Sequence, residues 1–188
     1  MNKEKIDSLP IQVFYTSKEE TNCPLVTDII RIGKKLSEKN LIDSKIQATI
    51  SLKYGKRILI NGLVQDYKKI KREELLEIAD YDPVKNNLLV IGKTDPKVET
   101  ALHFMIHHAR KETKIIVQID DKESLDKRKQ LIPVIEKKFP INSIDFIKQV
   151  LRELRENKIV GMKERGILFI SESIKETENM ITKFYEGK

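Results

Sequence analysis

The side chains of this 188-residue chain that could do chemistry gather between Asp95 and Asp121, in DPKVETALHFMIHHARKETKIIVQIDD. Glu99 and Asp120 are carboxylates, able to hold a cation or to act as a general base. Gln118, two residues before Asp120, brings an amide that can orient a ligand. His103 and His107 are four apart on what reads as one helix face, the spacing of a metal pair, with His108 beside them. Lys97 falls near the start of that helix, where an anion is attracted. Further along, Arg165 adds a cation suited to carboxylate or phosphate. Asn61-Gly62 is either a strand-ending turn or a ligand loop. Cys23 is the single cysteine; with no histidine near it in sequence, it reads as an inert or partly buried thiol.

The elements that must position these groups follow from periodicity. Asp95 is a natural N-cap and Pro96 suits the first helical position. Val98, Leu102, Met105 and Ile106 then give one apolar helix face. After a basic turn at Lys111–Lys114, the β-branched run Ile115–Val117 predicts a buried strand. Glu99 is thereby expected on a first helical turn, facing Gln118 and Asp120 at a strand's exit.

Upstream, residues 1–10 are polar and expected to be loosely held, and IQVFY (residues 11–15) predicts a strand or a docked extended arm. A helix is predicted over residues 25–40, with Val26, Ile29, Ile30, Ile32, Gly33 and Leu36 inward. The alternating run over residues 46–52, the turn at Tyr54-Gly55-Lys56 and a return over residues 57–60 predict a β-hairpin. A short helix is expected over residues 71–78 and a strand over residues 88–91. Downstream, residues 122–130 read as a charged surface helix or loop, and residues 131–135 as an edge strand or a helix start, because of Pro133. Ser143 predicts the cap of a helix over residues 144–156. Two short strands follow, over residues 159–162 and 166–170, and Ser171 or Ser173 caps a last helix over residues 174–185. Helices flanking a sheet of about six to eight strands, joined in part by local hairpins, predict an α/β domain. The domain is expected to span residues 23–188, with residues 1–22 as an N-terminal extension.

Composition narrows the function classes. Hydrophobic residues make up 39% of the chain, too many for disorder, and no apolar run approaches the ~20 residues that span a bilayer. A single cysteine rules out an internal disulfide, and MNKEKIDSLP lacks a secretory apolar core; both fit a cytoplasmic location. The net charge of +7 comes from 36 Lys+Arg against 29 Asp+Glu. Acids and bases are interleaved, as in KKIKREELLE, which predicts solvated helix faces and argues against a nucleic-acid-binding stripe.

The order of these segments resembles the class II aldolase/adducin head family. Asn40-Leu41 leading to Gln47-Ala48-Thr49-Ile50-Ser51 is similar to the family's turn and Gly-Asn-Ile-Ser strand. Ile60-Asn61-Gly62 stands where its Thr-Pro-Ser-Gly phosphate loop would be, and Lys71–Asp80 resembles its next helix and turn. Pro96-Lys97-Val98-Glu99 with His103 matches, in frame, the Pro-Ser-Ser-Glu helix start and the His four residues later. Gln118-Ile119-Asp120 falls on the His-x-His strand end, and Arg165-Gly166 on the late His-Gly.

The resemblance implies a three-layer α/β/α fold with a mostly antiparallel central sheet. It also implies a zinc site on three histidines, with the glutamate as fourth ligand or acid/base, serving sugar-phosphate chemistry. Here only Glu99 remains of that set. An amide is a poor zinc ligand, and a guanidinium has no lone pair to give. A full ligand set contributes about 10–16 kcal/mol in structural zinc sites, most of which a fixed positive charge would remove. The expectation is therefore no family-type zinc and no other cofactor. Arg165 is expected in the cation's place, paired with Glu99 and Asp120, with Gln118 filling a hydrogen bond. Lys97 and Asn61 are retained as binding candidates at the altered phosphate positions. His103 and His107 are expected to pack behind the site. Tyr185 either buries its ring or reaches a neighbouring subunit.

Two functions follow from the resemblance. One is a catalytically degenerate, zinc-free relative that binds a ligand or assembles. The other is a metal-independent or altered-metal lyase or isomerase, acting on a small anionic sugar phosphate or keto acid through Glu99, Asp120 and Arg165. A homotetramer is implied as well; a membrane or nucleic-acid partner is not.

Overall fold

The computed structural model describes residues 10–136 and 139–187; most of the polar stretch at residues 1–10 lies outside them. In chain order the elements are β1 (Gln12–Ser17), α1 (Val26–Glu38), β2 (Ala48–Tyr54), β3 (Arg57–Asn61), β4 (Leu75–Asp82), β5 (Asn87–Gly92), α2 (Thr100–Ala109) and β6 (Ile115–Ile119). They continue with α3 (Lys122–Arg128), β7 (Val134–Ile135), α4 (Ile144–Glu153), β8 (Ile159–Met162), β9 (Gly166–Ser171) and α5 (Ile174–Glu186). The described residues form one nine-stranded sheet in the order β1-β5-β4-β3-β2-β6-β9-β8-β7. Only the outermost pairs, β1 with β5 and β7 with β8, run parallel.

Side-chain alternation sets the layers. Ile50 and Leu52 of β2, Val117 and Ile119 of β6, and Phe169 of β9 pack with α1 and α5 on one face. On the other, Ile116, Leu168 and Ile170 pack with α2 and α4, and Ile58, Ile60, Leu76 and Ile78 pack against Ala101 and Phe104 of α2. The result is the three-layer α/β/α arrangement, with a central sheet that is antiparallel except at its edges.

Local chemistry explains most boundaries. Gly55, at φ +59°, opens the two-residue turn between β2 and β3, a conformation glycine adopts without strain. Ser143 and Ser173 cap α4 and α5 by accepting from the backbone N–H of Phe146 and Glu176, each at 3.2 Å. Gly187 closes α5 in the left-handed region. The ring of Tyr185 packs within the α5 cluster, edge-on to Phe184.

Two expectations need correction. The stretch over residues 71–78 is not a helix. A single 3-10 turn forms at Arg72–Glu74, closed by the Lys71 N–H donating to the Glu74 carboxylate at 2.7 Å, and the chain then extends into β4. Leu76 and Ile78 are completely buried between β3 and β5, so pairing on both edges outweighs the helix propensity of Leu and Glu. The helix start expected at Asp95-Pro96 is displaced to Thr100, after a turn over residues 97–100. Asp95 is not a cap; it accepts from the hydroxyl of Tyr15 on β1. Residues 12–17 take the strand form, one of the two expected for this stretch, and run along β5.

Candidate functional site

The displaced start of α2 makes the site. In the antiparallel pair β2/β6, Thr49 lies opposite Gln118 and Ser51 opposite Ile116. Since Ile50 and Val117 face α1, these partners face α2. The loop before α2 crosses this end of the sheet. It leaves an open cleft of about 320 Å³ whose lining includes Thr49, Lys97, Glu99, Gln118 and Asp120.

Lys97 reaches down from the loop. Its Nζ donates to the Ala48 carbonyl at 2.8 Å and lies 3.5 Å from Thr49 Oγ1. Burial lowers its pKa to about 8, against the opposing pull of the Glu99 and Asp120 charges. The same carbonyl also accepts from Tyr67 Oη at 2.7 Å and from Asn61 Nδ2 at 3.1 Å. Three donors thus converge on an oxygen with two lone pairs. The Tyr67 proton has a second acceptor in Gln47 Oε1, 3.1 Å away. Burial raises the Tyr67 pKa to about 12, so the phenol stays protonated.

Asn61 does not line the cleft. It is completely buried, and its Oδ1 accepts from the Ile50 N–H at 2.6 Å while Nδ2 also donates to the Gly62 carbonyl at 2.8 Å. Its amide ties β3 to β2 and has no group left over for a ligand.

Arg165 enters from the β8–β9 turn. Its Nη1 is 4.0 Å from Glu99 Oε1, both side chains being partly exposed. Asp120 is exposed and forms no ion pair with it among the described residues, so the expected three-way cluster does not form. A pair this long and this exposed contributes about 1 kcal/mol or less. The turn is held more firmly by its backbone. Gln118 Nε2 donates to the Arg165 carbonyl at 3.2 Å, and Gly166, at φ +79°, presses against the end of β6. A Cβ there would collide with the Ile119 carbonyl oxygen.

Behind the cleft runs a buried hydrogen-bond chain. His107 Nδ1 is 3.2 Å from the Thr113 carbonyl, which can only accept, so Nδ1 carries the proton. Its Nε2, 2.9 Å from Ser51 Oγ, therefore accepts from the serine hydroxyl. Ser51 Oγ in turn accepts from His103 Nδ1 at 2.8 Å. That leaves a lone pair on His103 Nε2, which, like Gln118 Oε1, is buried without a hydrogen-bond partner in this arrangement. Burial lowers both histidine pKa values to about 3, so the rings are neutral. The histidine pair is committed to packing on the cleft's inner wall.

The pattern of the class II aldolase and adducin N-terminal domain matches residues 27–119. The chain belongs to this family. Solved class II aldolases share the fold. An L-fuculose 1-phosphate aldolase superposes with a TM-score of 0.70 at 15% identity, over 89% of this chain and 84% of its own. The L-fuculose-1-phosphate aldolase of Thermus thermophilus gives 0.68 at 16%, over 86% and 90%. A sugar-phosphate aldolase of Thermotoga maritima gives 0.64 at 14%, over 85% and 89%. No curated protein matches by sequence.

In this class II aldolase-type domain, Glu99, Asp120, Gln118 and Lys97 share the cleft, Arg165 stands at its edge and Asn61 lies beneath it. Among the described residues, no three His, Cys, Asp or Glu side chains gather closely enough to hold a metal. Sequence reading passed over Thr49, Ser51 and Tyr67. The alternation ATISL on β2 carried the signal for the first two, since both fall on the face away from Ile50. Tyr67 opens a single 3-10 turn over Tyr67–Lys69, too short for periodicity to mark.

Two outcomes are expected. The folded-state histidine pKa values lie below the ordinary 6.5, so the unfolded chain binds protons first. Stability is full above pH 6.5 and declines toward pH 3 by about 1.4 kcal/mol per pH unit for each histidine. Urea-unfolding midpoints across that range measure it, with a shallower decline in His107→Gln. Gly166→Ala, strained in φ and blocked by backbone, is expected to cost at least about 2 kcal/mol in the same assay.

Proposed function

We propose that this protein is a zinc-free member of the class II aldolase family, whose cleft binds a small anionic compound of the sugar-phosphate or keto-acid class. The observation that carries the reading is the amine of Lys97, seated in the cleft beside Glu99 and Asp120. It supplies a positive charge from the protein itself. The ligand positions implied by the family resemblance do not suit zinc. Gln118 offers an amide already engaged with the Arg165 carbonyl, and Arg165 offers no lone pair. A cation from Lys97, with Arg165 at the edge, instead favours a carboxylate or phosphate.

An assembled oligomer, a tetramer by the family resemblance, belongs to the same proposal. Leu63 and Val98, 65% and 37% exposed, stand at the cleft's rim as apolar surface that a neighbouring copy would cover.

Elemental analysis of the purified protein is expected to find zinc far below one equivalent, with thermal stability indifferent to chelators. Calorimetric titration with dihydroxyacetone phosphate or pyruvate is expected to show binding that Lys97→Met weakens about tenfold or more. Stoichiometric zinc whose removal abolishes that binding would overturn the proposal. Light scattering is expected to give a mass above that of one chain, and Leu63→Glu to lower it; a monomeric parent protein would remove the assembly reading.

A further inference from the structure

We infer that the Lys97 amine is the nucleophile of the cleft, joining the carbonyl carbon of a small anionic aldehyde, ketone or keto acid as an imine. The inference rests on the ligand class proposed above and goes further by making the contact covalent.

Geometry favours this atom. Lys97 lines the cleft, and its Nζ, tucked under the loop, is held only by the neutral Ala48 oxygen and the more distant Thr49 hydroxyl, with no carboxylate in ion-pair contact among the described residues. That oxygen already serves Tyr67 and Asn61, so the amine can leave it without orphaning a buried acceptor. Its orientation is set, and its release costs little. Glu99 and Asp120 line the same cleft as proton carriers. Leu63, Pro96 and Val98 add apolar surface along one flank of the cleft.

The chemistry closes without another reagent. The nitrogen lone pair attacks the carbonyl carbon, and the oxygen leaves as water with the two amine protons, relayed by Glu99 or Asp120. One C=O bond breaks, one C=N bond forms, and no electrons enter or leave. Once protonated, the imine accepts electrons. In a β-hydroxy compound, the hydroxyl proton passes to a carboxylate and the carbon–carbon bond breaks. Its electron pair moves toward nitrogen, giving an enamine and a free aldehyde. An imine thus supplies the electron sink that a Lewis-acid ion would otherwise provide.

The purified full chain, incubated with dihydroxyacetone phosphate, glyceraldehyde 3-phosphate or pyruvate in the presence of sodium cyanoborohydride, is analysed by peptide mass mapping. The expected result with at least one probe is a reduced adduct on Lys97 at about tenfold or more above any other lysine. It should be absent from Lys97→Arg, which keeps the charge but cannot form the imine. Adducts spread evenly over the lysines, or none with any probe, overturn the inference. Mapping of the unsubstituted chain decides even where the variant fails to fold. Calorimetry with the same probes separates the two proposals: binding without adduct removes the imine and keeps the ligand site, whereas no binding removes both.

Discussion

One carbonyl oxygen, that of Ala48, organises this end of the molecule. Donors reach it from the strand beside it, from the 3-10 turn at Tyr67–Lys69 and from the loop before α2. A buried acceptor left empty costs about 1–3 kcal/mol; this one is oversubscribed instead. Asn61 and Tyr67 fix the first residues of β2 against β3 and the α1 layer, and Lys97 draws the loop down over the sheet. The cleft exists because that loop is pinned there and does not continue into helix. Glu99 takes its place as a consequence, two residues along a turn whose carbonyl at Lys97 accepts from the Thr100 N–H.

The parts written in local chemistry were legible from sequence. Ser143 and Ser173 cap the helices they precede, Gly55 turns the hairpin, and the run from Ile115 is a strand buried on both faces. Reading failed where distant partners decide. Leu75–Ile78 carries helix formers but lies between two strands that need its backbone groups. Asp95 has a cap's side chain, yet a tyrosine 80 residues earlier claims it.

The candidate residues were legible as neighbours more than in their arrangement. Glu99, Gln118, Asp120 and Lys97 do converge on one cleft. The weight given to Arg165 does not carry over in the form expected, because a long, partly exposed contact with Glu99 alone is a weak tie. Lys97 became central only with the coordinates, since nothing local marks a lysine whose ammonium group loses its water beneath a loop. The buried chain from Thr113 through His107 and Ser51 to His103 puts both histidines behind the cleft, where they were expected, but the serine that links them lies on a different element, which their helical spacing does not mark.

The first strand has a bearing on how this domain is delimited. β1 runs along β5, and its Tyr15 holds Asp95, two positions ahead of the cleft's lysine. The segment carrying the family pattern starts only at residue 27. A fragment trimmed to begin there would keep every polar group of the cleft and yet lose the brace that steadies their loop. Here the stretch that defines kinship is shorter than the stretch needed for the site to hold its shape.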